Sequence, residues 1–438
     1  MTAGPAEERP AADVAERRPS GPAERPGGLP DEVASAIDAL RPVDVAIGVL
    51  TYNNADTVKA LAETAVSGLT RHLPGTSAVF VNADAGSADG TPDVLAGAGI
   101  PMIRLHHDAA LAERLAVPFH GVPGRGSALL GTLAAAHRLG VRVLVLLEAD
   151  VVSATEEWID RLARPVIEAK ADFVTPAYAR HRYDGTITNL LLSPLVRALY
   201  GRRVRQPLGG QQALSPRLVE HLLIHPRWDW HGREITDLWV LGTAIADGFA
   251  VWEAWLGRRL VRSRTRTTDL PPMVAQTVGS TFALMHRHED LWLEVRGSEP
   301  LPELGQPALP SIEPVEVEVT RMLDGFRLGL SELLPIWEHI LAPETLGDVL
   351  GLDAPGDGPF RFPNDLWARV VYDFALGYHY DVVYREHLLK SLVPLYLGRT
   401  AAFVIATRDR SAAASDALLD DVGTAFERQK PYLAERWR

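Results

Sequence analysis

The chain has 438 residues, a formal net charge of −12 and no cysteine, and these properties exclude several classes of protein. The negative charge argues against a general nucleic-acid binder, and the lack of cysteine excludes disulfides, thiolate metal sites and cysteine nucleophiles. The length suggests two domains. No apolar run in the sequence approaches the roughly 18 residues that span a bilayer, so we expect no transmembrane segment, and the lack of cysteine fits a cytoplasmic protein.

Residues 1–38 are predicted to form a disordered N-terminal tail. Residues 1–30 are rich in Pro, Ala, Glu, Arg and Gly and carry almost no large apolar side chain. Such a segment cannot bury enough surface to offset the entropy of ordering, and it lacks the apolar core of a signal peptide. The segment from Asp31 to Leu40 can form a short helix.

Two buried strands with polar ends are predicted next. The first apolar run, residues 43–50, ends in four polar residues: Thr51, Tyr52, Asn53 and Asn54. A helix with one apolar face is predicted over 57–73, and a second strand leads into a loop of glycines and small polar residues at 82–91. Asp84 stands at the end of that strand, where a carboxylate could accept hydrogen bonds from a base or a ribose, whereas Asp89 is expected to stabilise the turn.

A glycine-flanked arginine, Gly124-Arg125-Gly126, precedes a helix predicted over 127–139. Free N–H groups, the helix macrodipole and the guanidinium together favour an anion at this place. The glycine pattern also occurs in many ordinary loops, so this interpretation depends on the neighbouring motifs.

The apolar run 143–147 ends in Glu148-Ala149-Asp150. Five consecutive apolar residues are typical of a strand buried on both faces of a parallel sheet. Positions i and i+2 of an extended chain point to the same side, and open α/β sheets bind ligands at the carboxyl ends of their strands. Because Mg²⁺ prefers oxygen ligands and bridges carboxylates to phosphates, the acidic pair is a candidate metal-diphosphate anchor. The alternative is a solvated acidic turn.

The order of these motifs resembles a GT-A glycosyltransferase of the family-2 type. That family carries an Asp-Asp-Gly-Ser-x-Asp-Gly-Thr-like nucleotide loop, a Gly-Lys-Gly-like loop and an Asp-x-Asp metal motif. Here Ala85 replaces one Asp, Arg125 replaces the Lys and Glu148 replaces the first Asp, while Asp150 is kept. The resemblance implies an α/β, Rossmann-like, mostly parallel sheet flanked by helices, with Asp150 as the metal ligand. It implies nucleotide-sugar binding by Thr51, Tyr52, Asn53, Asp84, Gly124, Arg125, Gly126, Glu148 and Ala149.

Residues 206–214, Gln-Pro-Leu-Gly-Gly-Gln-Gln-Ala-Leu, narrow this resemblance. They resemble the acceptor loop of mannosylglycerate synthases and glucosyl-3-phosphoglycerate synthases, which are retaining enzymes. The resemblance implies acceptor binding by Leu208, Gly209, Gly210 and Gln211. Glycines would let backbone N–H groups come close to a small anionic or hydroxylated acceptor. The alternative is a tight turn before a helix.

Asp237 and Glu234 are the catalytic candidates that this resemblance implies. The interval from Asp237 to Glu253 matches the mannosylglycerate synthase pattern, in which the Asp lies near the acceptor or the transferred sugar. Glu234 matches a Glu-Ile pair of the phosphoglycerate relatives. Helix capping is the alternative for both residues.

The metal-binding histidine of these relatives is missing, because residues 256–264 contain arginines and no histidine. Either Mg²⁺ or Mn²⁺ is held by Asp150 and the diphosphate with fewer protein ligands, or an arginine takes over the diphosphate charge. His286 and His288 are candidate substitutes, although exposed helix histidines are the favoured interpretation.

The second part of the chain is predicted to be helical. A proline-rich linker is expected over 298–314, between a GT-A domain at 40–300 and a helical C-terminal domain at 315–438. Helices after the GT-A core serve acceptor binding and oligomer contacts in the relatives, so the resemblance also implies a homodimer.

The sequence therefore predicts transfer of a hexose from a nucleotide-sugar donor to a small acceptor such as glycerate or phosphoglycerate, with retention. Two alternatives stay open. A nucleotidyltransferase that makes the nucleotide sugar should carry a Gly-rich basic signature after the first strand, where this chain has Thr51-Tyr52-Asn53-Asn54. A catalytically inactive GT-A sugar-binding module would explain the missing histidine.

Overall fold

A computed structural model of the chain describes residues 28–107, 121–225, 235–262, 270–307, 317–354 and 358–438. Eight strands form one sheet, and two short strands form another. The strands, in chain order, are β1 (Val45–Thr51), β2 (Ala78–Asp84), β3 (Met102–His106), β4 (Val143–Glu148), β5 (Phe173–Ala179), β6 (Arg202–Arg203), β7 (Gln212–Leu214), β8 (Val251–Arg258), β9 (Glu299–Pro300) and β10 (Glu303–Leu304).

Helices flank this sheet and continue after it. Up to residue 307 they are α1 (Asp31–Leu40), α2 (Ala55–His72), α3 (Thr91–Ala96), α4 (Arg125–Leu139), α5 (Glu157–Ile167), α6 (Ser193–Tyr200), α7 (Pro216–Ile224), α8 (Thr236–Ala246), α9 (Leu270–Arg287) and α10 (Glu289–Trp292), and a π-helical turn (Thr188–Leu192) precedes α6. The C-terminal helices are α11 (Val319–Glu332), α12 (Leu334–Ile340), α13 (Pro343–Gly351), α14 (Asn364–His379), α15 (Arg385–Thr407) and α16 (Ala412–Trp437).

The large sheet has the strand order β10-β8-β5-β7-β4-β1-β2-β3. All neighbouring pairs are parallel except those of β7, which runs antiparallel to both β4 and β5. Thr51 pairs with Asp84, and Leu50 pairs with Glu148. The carboxyl ends of β1, β2 and β4 therefore meet at one edge. The predicted α/β class, with a mostly parallel sheet, flanking helices and a helical C-terminal region, is confirmed.

Burial on both faces explains why β1 and β4 are continuous apolar runs. Every residue of both strands is buried. Ala46 and Leu144 pack into the core on the side of α4, whereas Val45 and Val143 pack into the core on the side of α2 and α5. Gly48 lets α4 approach closely, because a Cβ there would lie 2.7 Å from side-chain atoms of Leu146 and Thr132.

The N-terminal prediction is confirmed in one part and wrong in another. The helix from Asp31 to Leu40 is present as α1. However, this helix docks on the fold: Ile37 is fully buried, and Asp38 accepts a 2.5 Å hydrogen bond from Arg138 of α4. Residues 31–38 therefore do not belong to a disordered tail, because their apolar face finds a partner. Residues 1–27 lie outside the described part of the chain.

The predicted linker over 298–314 is wrong in its first half. The strand β10 extends the large sheet by pairing with β8, and β9 pairs with β6. Prolines are tolerated there because these are short edge strands. Residues 308–314 lie outside the described part of the chain.

The C-terminal helices share a buried core with the region around α6. Trp367 and Tyr372 are fully buried, and the Trp367 indole donates a 2.6 Å hydrogen bond to the Leu190 carbonyl. Arg197 of α6 binds Asp420 of α16 at 2.6 Å. Trp367 and Tyr372 belong to a stretch rich in aromatic residues, 367–380, and core packing explains these two, whereas Tyr380 is 53 % exposed.

Among the described helices, α15 is long and apolar enough to cross a membrane by length and composition. Lys390 and Arg399 interrupt its apolar residues, so the helix is not a continuous apolar run, and the expectation of no transmembrane segment stays a prediction. In its most apolar window, 72 % of the residues are buried inside the protein, and the helix packs against α9 and α11. Core packing accounts for its composition.

Candidate active site

The loops that follow β1 and β2 are bonded to each other. Asn53 has a φ of 54°, a left-handed conformation that asparagine tolerates better than most residues. Its backbone N–H donates to the Ser87 hydroxyl at 2.8 Å, and its side chain accepts from the Ala88 N–H at 2.9 Å. Asp89 accepts a hydrogen bond from the Ala55 N–H at 3.0 Å and also bonds to Thr91. The predicted turn-stabilising role of Asp89 is confirmed.

Asp84 organises the loop after β2. Its carboxylate is only 7 % exposed and accepts four hydrogen bonds. The donors are the Thr51 hydroxyl at 2.7 Å, the Gly86 N–H at 3.0 Å, and the Ser87 N–H and hydroxyl at 2.8 and 2.6 Å. These four bonds hold the loop in a defined shape. Direct contact between Asp84 and a nucleotide stays a prediction.

Glu148 is buried where β4 ends, with 2 % of its side chain exposed. Its Oε2 accepts hydrogen bonds from Gln211 Nε2 at 3.0 Å and from Arg259 Nη2 at 2.6 Å. The next residue, Ala149, is also buried, and its carbonyl accepts a 2.6 Å bond from the Thr57 hydroxyl. Glu148 is thus a fixed anchor for an arginine and for the predicted acceptor loop.

The glycines of that loop are required by close contact with protein side chains. A Cβ on Gly210 would lie 2.1 Å from the Glu148 carboxyl carbon, and one on Gly209 would lie 2.3 Å from Pro176. Leu208 is partly buried against the core. The loop was expected to approach a ligand; the structure shows that it approaches Glu148, which brings the predicted donor and acceptor residues together.

Arg125 and Asp237 form a buried ion pair. Arg125 Nη2 is 3.0 Å from Asp237 Oδ1, and the exposed fractions of the two side chains are 14 % and 2 %. Burial lowers the pKa of Arg125, but the charges of Asp237 and Glu148 outweigh it and raise the pKa above its ordinary value. A predicted nucleotide-sugar-binding residue and a predicted catalytic residue, 112 positions apart, are therefore held in contact.

The flanking glycines fit this arrangement. Gly124 has a φ of 61° and immediately precedes α4, in a left-handed conformation that glycine adopts readily. Gly126 is buried in the first turn of that helix. The first turn of α4 thus carries Arg125 towards the first turn of α8, where Asp237 lies. Glu234 lies outside the described residues.

Asp150 lies beside the same cluster. It is half-buried, and its charge contributes to raising the pKa values of both Arg125 and Arg259. The carbonyl of Asp150 accepts a 3.0 Å hydrogen bond from the Arg262 N–H, and Val151 forms an antiparallel bridge with Val261. The arginine-rich segment after β8 therefore runs alongside the acidic end of β4. Residues 263–269 are outside the described ranges.

The histidines proposed as substitutes have partners on other helices. His286 lies 3.0 Å from His379 of α14, between ring nitrogens. His288 Nδ1 is 2.8 Å from the Tyr200 hydroxyl of α6. His286 is exposed and His288 is half-buried. The interpretation of both as exposed histidines is therefore right for His286 alone.

Sequence reasoning missed Arg180 and Tyr178. The guanidinium carbons of Arg180 and Arg259 lie 5.2 and 5.9 Å from the centre of the Tyr178 ring, and the Tyr178 hydroxyl bonds to Gln211. The buried Arg180 Nε has no hydrogen-bond partner within the described residues. Burial, followed by the Arg259 charge, lowers the pKa of Arg180. A signal was present, because Arg180 directly follows β5, just as the predicted site residues follow β1, β2 and β4.

Comparisons with known proteins find structural likeness only. No family model matches the chain, and no curated protein matches it. Solved structures that resemble it include glucosyl-3-phosphoglycerate synthase from Mycobacterium tuberculosis with Mg²⁺ and uridine diphosphate, at 22 % identity and a TM-score of 0.43, over 60 % of this chain and 84 % of that one. The same enzyme with Mn²⁺, UDP-glucose and phosphoglyceric acid gives 23 % and 0.42, over 61 % and 86 %.

Proposed function

We propose that this chain is a hexosyltransferase of the GT-A type, which moves a hexose from a nucleoside-diphosphate sugar to a small acceptor. The observation that carries the proposal is the meeting of four groups at the carboxyl edge of the sheet. These groups are the acidic end of β4, the Asp84 loop, the Arg125–Asp237 pair and the Gly210 loop. Two substrates are needed for group transfer, and we assign these elements to the donor and to the acceptor.

The donor side needs cations, because a departing nucleoside diphosphate carries developing negative charge. Groups fixed in advance around that charge stabilise the transition state. Arg125 and Arg259 each lie against a carboxylate, at 3.0 and 2.6 Å, so they are already held in position. Guanidinium groups bind phosphate oxygens in a planar, two-point geometry, which suits this role.

A divalent ion fits the same place. Asp150 offers an oxygen ligand at a half-buried strand end, and Mg²⁺ is commonly held by one or two carboxylates together with substrate phosphates. Asp150 would hold Mg²⁺ or Mn²⁺, and the ion would neutralise part of the diphosphate charge. Glu148 is already engaged by Arg259 and Gln211, so it positions those groups.

The acceptor side is formed by Gly210, Gln211, Asp237 and Arg180. Asp237 would accept a hydrogen bond from the acceptor hydroxyl and orient it towards the donor. The proposed acceptor is an anion, because the Arg180 guanidinium lies beside the Tyr178–Gln211 pair and has no ion-pair partner in the described residues. Glycerate and phosphoglycerate carry the matching charge. Retention of configuration is inferred from the sequence resemblance, and no nucleophile is assigned.

Product analysis tests the proposal. The full chain is incubated with UDP-, GDP- or ADP-hexose, with glycerate or phosphoglycerate, and with or without Mg²⁺ or Mn²⁺. Equal amounts of glycoside and nucleoside diphosphate are expected for one of these pairs. Formation of a nucleotide sugar and pyrophosphate from a sugar phosphate and a nucleoside triphosphate would instead show a nucleotidyltransferase. No turnover with any pair would favour a binding module.

Four further expectations from the sequence stay predictions. They are a catalytic domain at 40–300, a helical domain at 315–438, a homodimer and a cytoplasmic location.

A further inference from the structure

A second cluster of metal-ligating side chains lies outside the candidate active site. His221 belongs to the last turn of α7, His225 directly follows that helix, and Asp247 directly follows α8. Their ligand atoms all lie within 4.8 Å of one another. His221 Nε2 is 2.6 Å from Asp247 Oδ2, and His225 Nε2 is 3.8 Å from the same oxygen.

This cluster lies at the opposite end of the sheet from Asp150. Asp247 leads into β8, whose first residue, Val251, pairs with Phe173, the first residue of β5. The cluster therefore lies at the amino ends of these strands. Asp237 is in the first turn of α8, and ten helical residues at about 1.5 Å each place Asp247 roughly 15 Å further along.

Packing fixes both imidazole rings. The His221 ring lies 5.0 Å from the Phe249 ring, and the His225 ring lies 5.5 Å from the Trp239 ring, in centre-to-centre distances. A hydrogen bond between His221 and Asp247 explains the position of two of the three groups. The His225 ring lies 5.6 Å from the His221 ring, centre to centre, and its Nε2 faces the same carboxylate oxygen. A shared cation would be bonded by all three groups.

We propose that His221, His225 and Asp247 bind a divalent transition metal such as Zn²⁺. Two imidazoles and one carboxylate, with one position left for water, are a ligand set that zinc uses, whereas imidazole ligands do not suit Mg²⁺. Their side chains are 33 %, 13 % and 37 % exposed, so an ion can reach them. The metal would join the end of α7 to the end of α8.

For the two distances to Asp247, the required movement is small. At zinc–ligand bonds of about 2.0–2.2 Å, tetrahedral ligand atoms lie roughly 3.4 Å apart. The 2.6 Å distance from His221 to Asp247 must widen, and the 3.8 Å distance from His225 must shorten, each by less than about 1 Å on this geometry. The metal takes the place of the proton between His221 and Asp247.

Cobalt binding tests this site, because the visible absorption of Co²⁺ reports its ligands. The full chain carrying Asp150→Asn, which disables the other candidate metal site, is stripped with a chelator and titrated with Co²⁺ and then Zn²⁺. One Co²⁺ per chain with a low-coordinate spectrum, displaced by one equivalent of Zn²⁺, is expected, together with a rise in the midpoint of thermal unfolding.

Added to that background, His221→Gln and Asp247→Asn should each weaken Co²⁺ binding at least tenfold. His339→Gln, which changes an exposed histidine of α12, is the matched control and should leave binding unchanged. Three results would overturn the proposal: no Co²⁺ absorption spectrum at a large molar excess of metal over protein, unchanged affinity in both site variants, or an equal loss in the His339 variant. None of these results bears on sugar transfer.

Discussion

Replacing Gly210 with alanine perturbs the contact between the proposed acceptor loop and Glu148. The new Cβ would lie 2.1 Å from Cδ and 2.2 Å from Oε1 of Glu148, which is far inside van der Waals contact. Glu148 is buried and held by Arg259 and Gln211. Either the loop or the carboxylate must therefore move by about 1 Å, which is the scale on which overpacked cores relax.

The cost can be worked from the bonds that this movement breaks. A hydrogen bond to a charged group contributes about 1.5–3 kcal/mol, and overpacking costs about 1–3 kcal/mol. Because the two effects share one displacement, we expect Gly210→Ala to lower the free energy of unfolding by about 3 kcal/mol. The same movement displaces Arg259, which would then stabilise the transition state less. A loss of this size corresponds to about a hundredfold lower transfer rate.

The assay pairs urea unfolding with transfer kinetics. Gly131→Ala in α4 is the control, because its Cβ would meet only Leu105 Cδ1, at 3.5 Å, and alanine is favoured over glycine inside a helix by about 0.5–1 kcal/mol. The control should be as stable as the unmodified chain or more so. A Gly210→Ala protein with unchanged stability and unchanged transfer would refute the contact with Glu148 and the role given to it.

Three further substitutions test separate parts of the structure. Asp237→Asn keeps an oxygen that can accept the hydrogen bond from Arg125, so donor binding should stay intact while transfer slows by about 10²-fold or more, as measured by calorimetry with the donor and by product formation. Lost donor binding would move Asp237 to the donor side. Arg180→Gln should raise the KM for an anionic acceptor at least tenfold, an expected loss of about 1.4 kcal/mol, while the KM for donor hydrolysis stays constant. Burial raises the pKa of Glu253 to about 7, against the opposing effect of Arg205. Because the pKa of this carboxyl is higher in the folded protein than in the unfolded chain, Glu253 favours folding at low pH. About 3 kcal/mol of stability should therefore be lost as the pH rises from 4.5 through 7. Glu253→Gln should flatten this dependence of the unfolding free energy on pH, as measured by urea unfolding.

The elements that could be predicted from local sequence are those with long, regular patterns of apolar residues. The run 143–147 predicted a buried strand because a strand covered on both faces needs apolar residues at every position. The helix over 57–73 was predicted from its apolar spacing, and α2 buries the four residues of that spacing, Val58, Leu61, Ala65 and Leu69. The strand ends then located Asp84 and Glu148 at one edge.

The remaining features depend on contacts between distant segments. The strand β7 has only three residues, which is too short for a periodic pattern, and its antiparallel insertion brings Gln211 to Glu148. The Arg125–Asp237 pair joins two helix starts that no local rule connects. The docking of α1 depends on Ile37 finding a partner surface. The strand β5 that precedes Arg180 contains Thr175 and Pro176, which interrupt the continuous apolar run by which β1 and β4 are recognised.

The most direct test of the central claim is product analysis with Asp150→Asn, which removes one charge from the end of β4 and nearly preserves shape. With a productive donor and acceptor, the unmodified chain should release glycoside and nucleoside diphosphate in equal amounts, and the variant should lose at least about 10²-fold of that rate, as expected when a group that stabilises the leaving diphosphate is removed. Its unfolding midpoint should change little. Transfer by Asp150→Asn at a near unmodified rate, still dependent on added Mg²⁺ or Mn²⁺, would contradict the account.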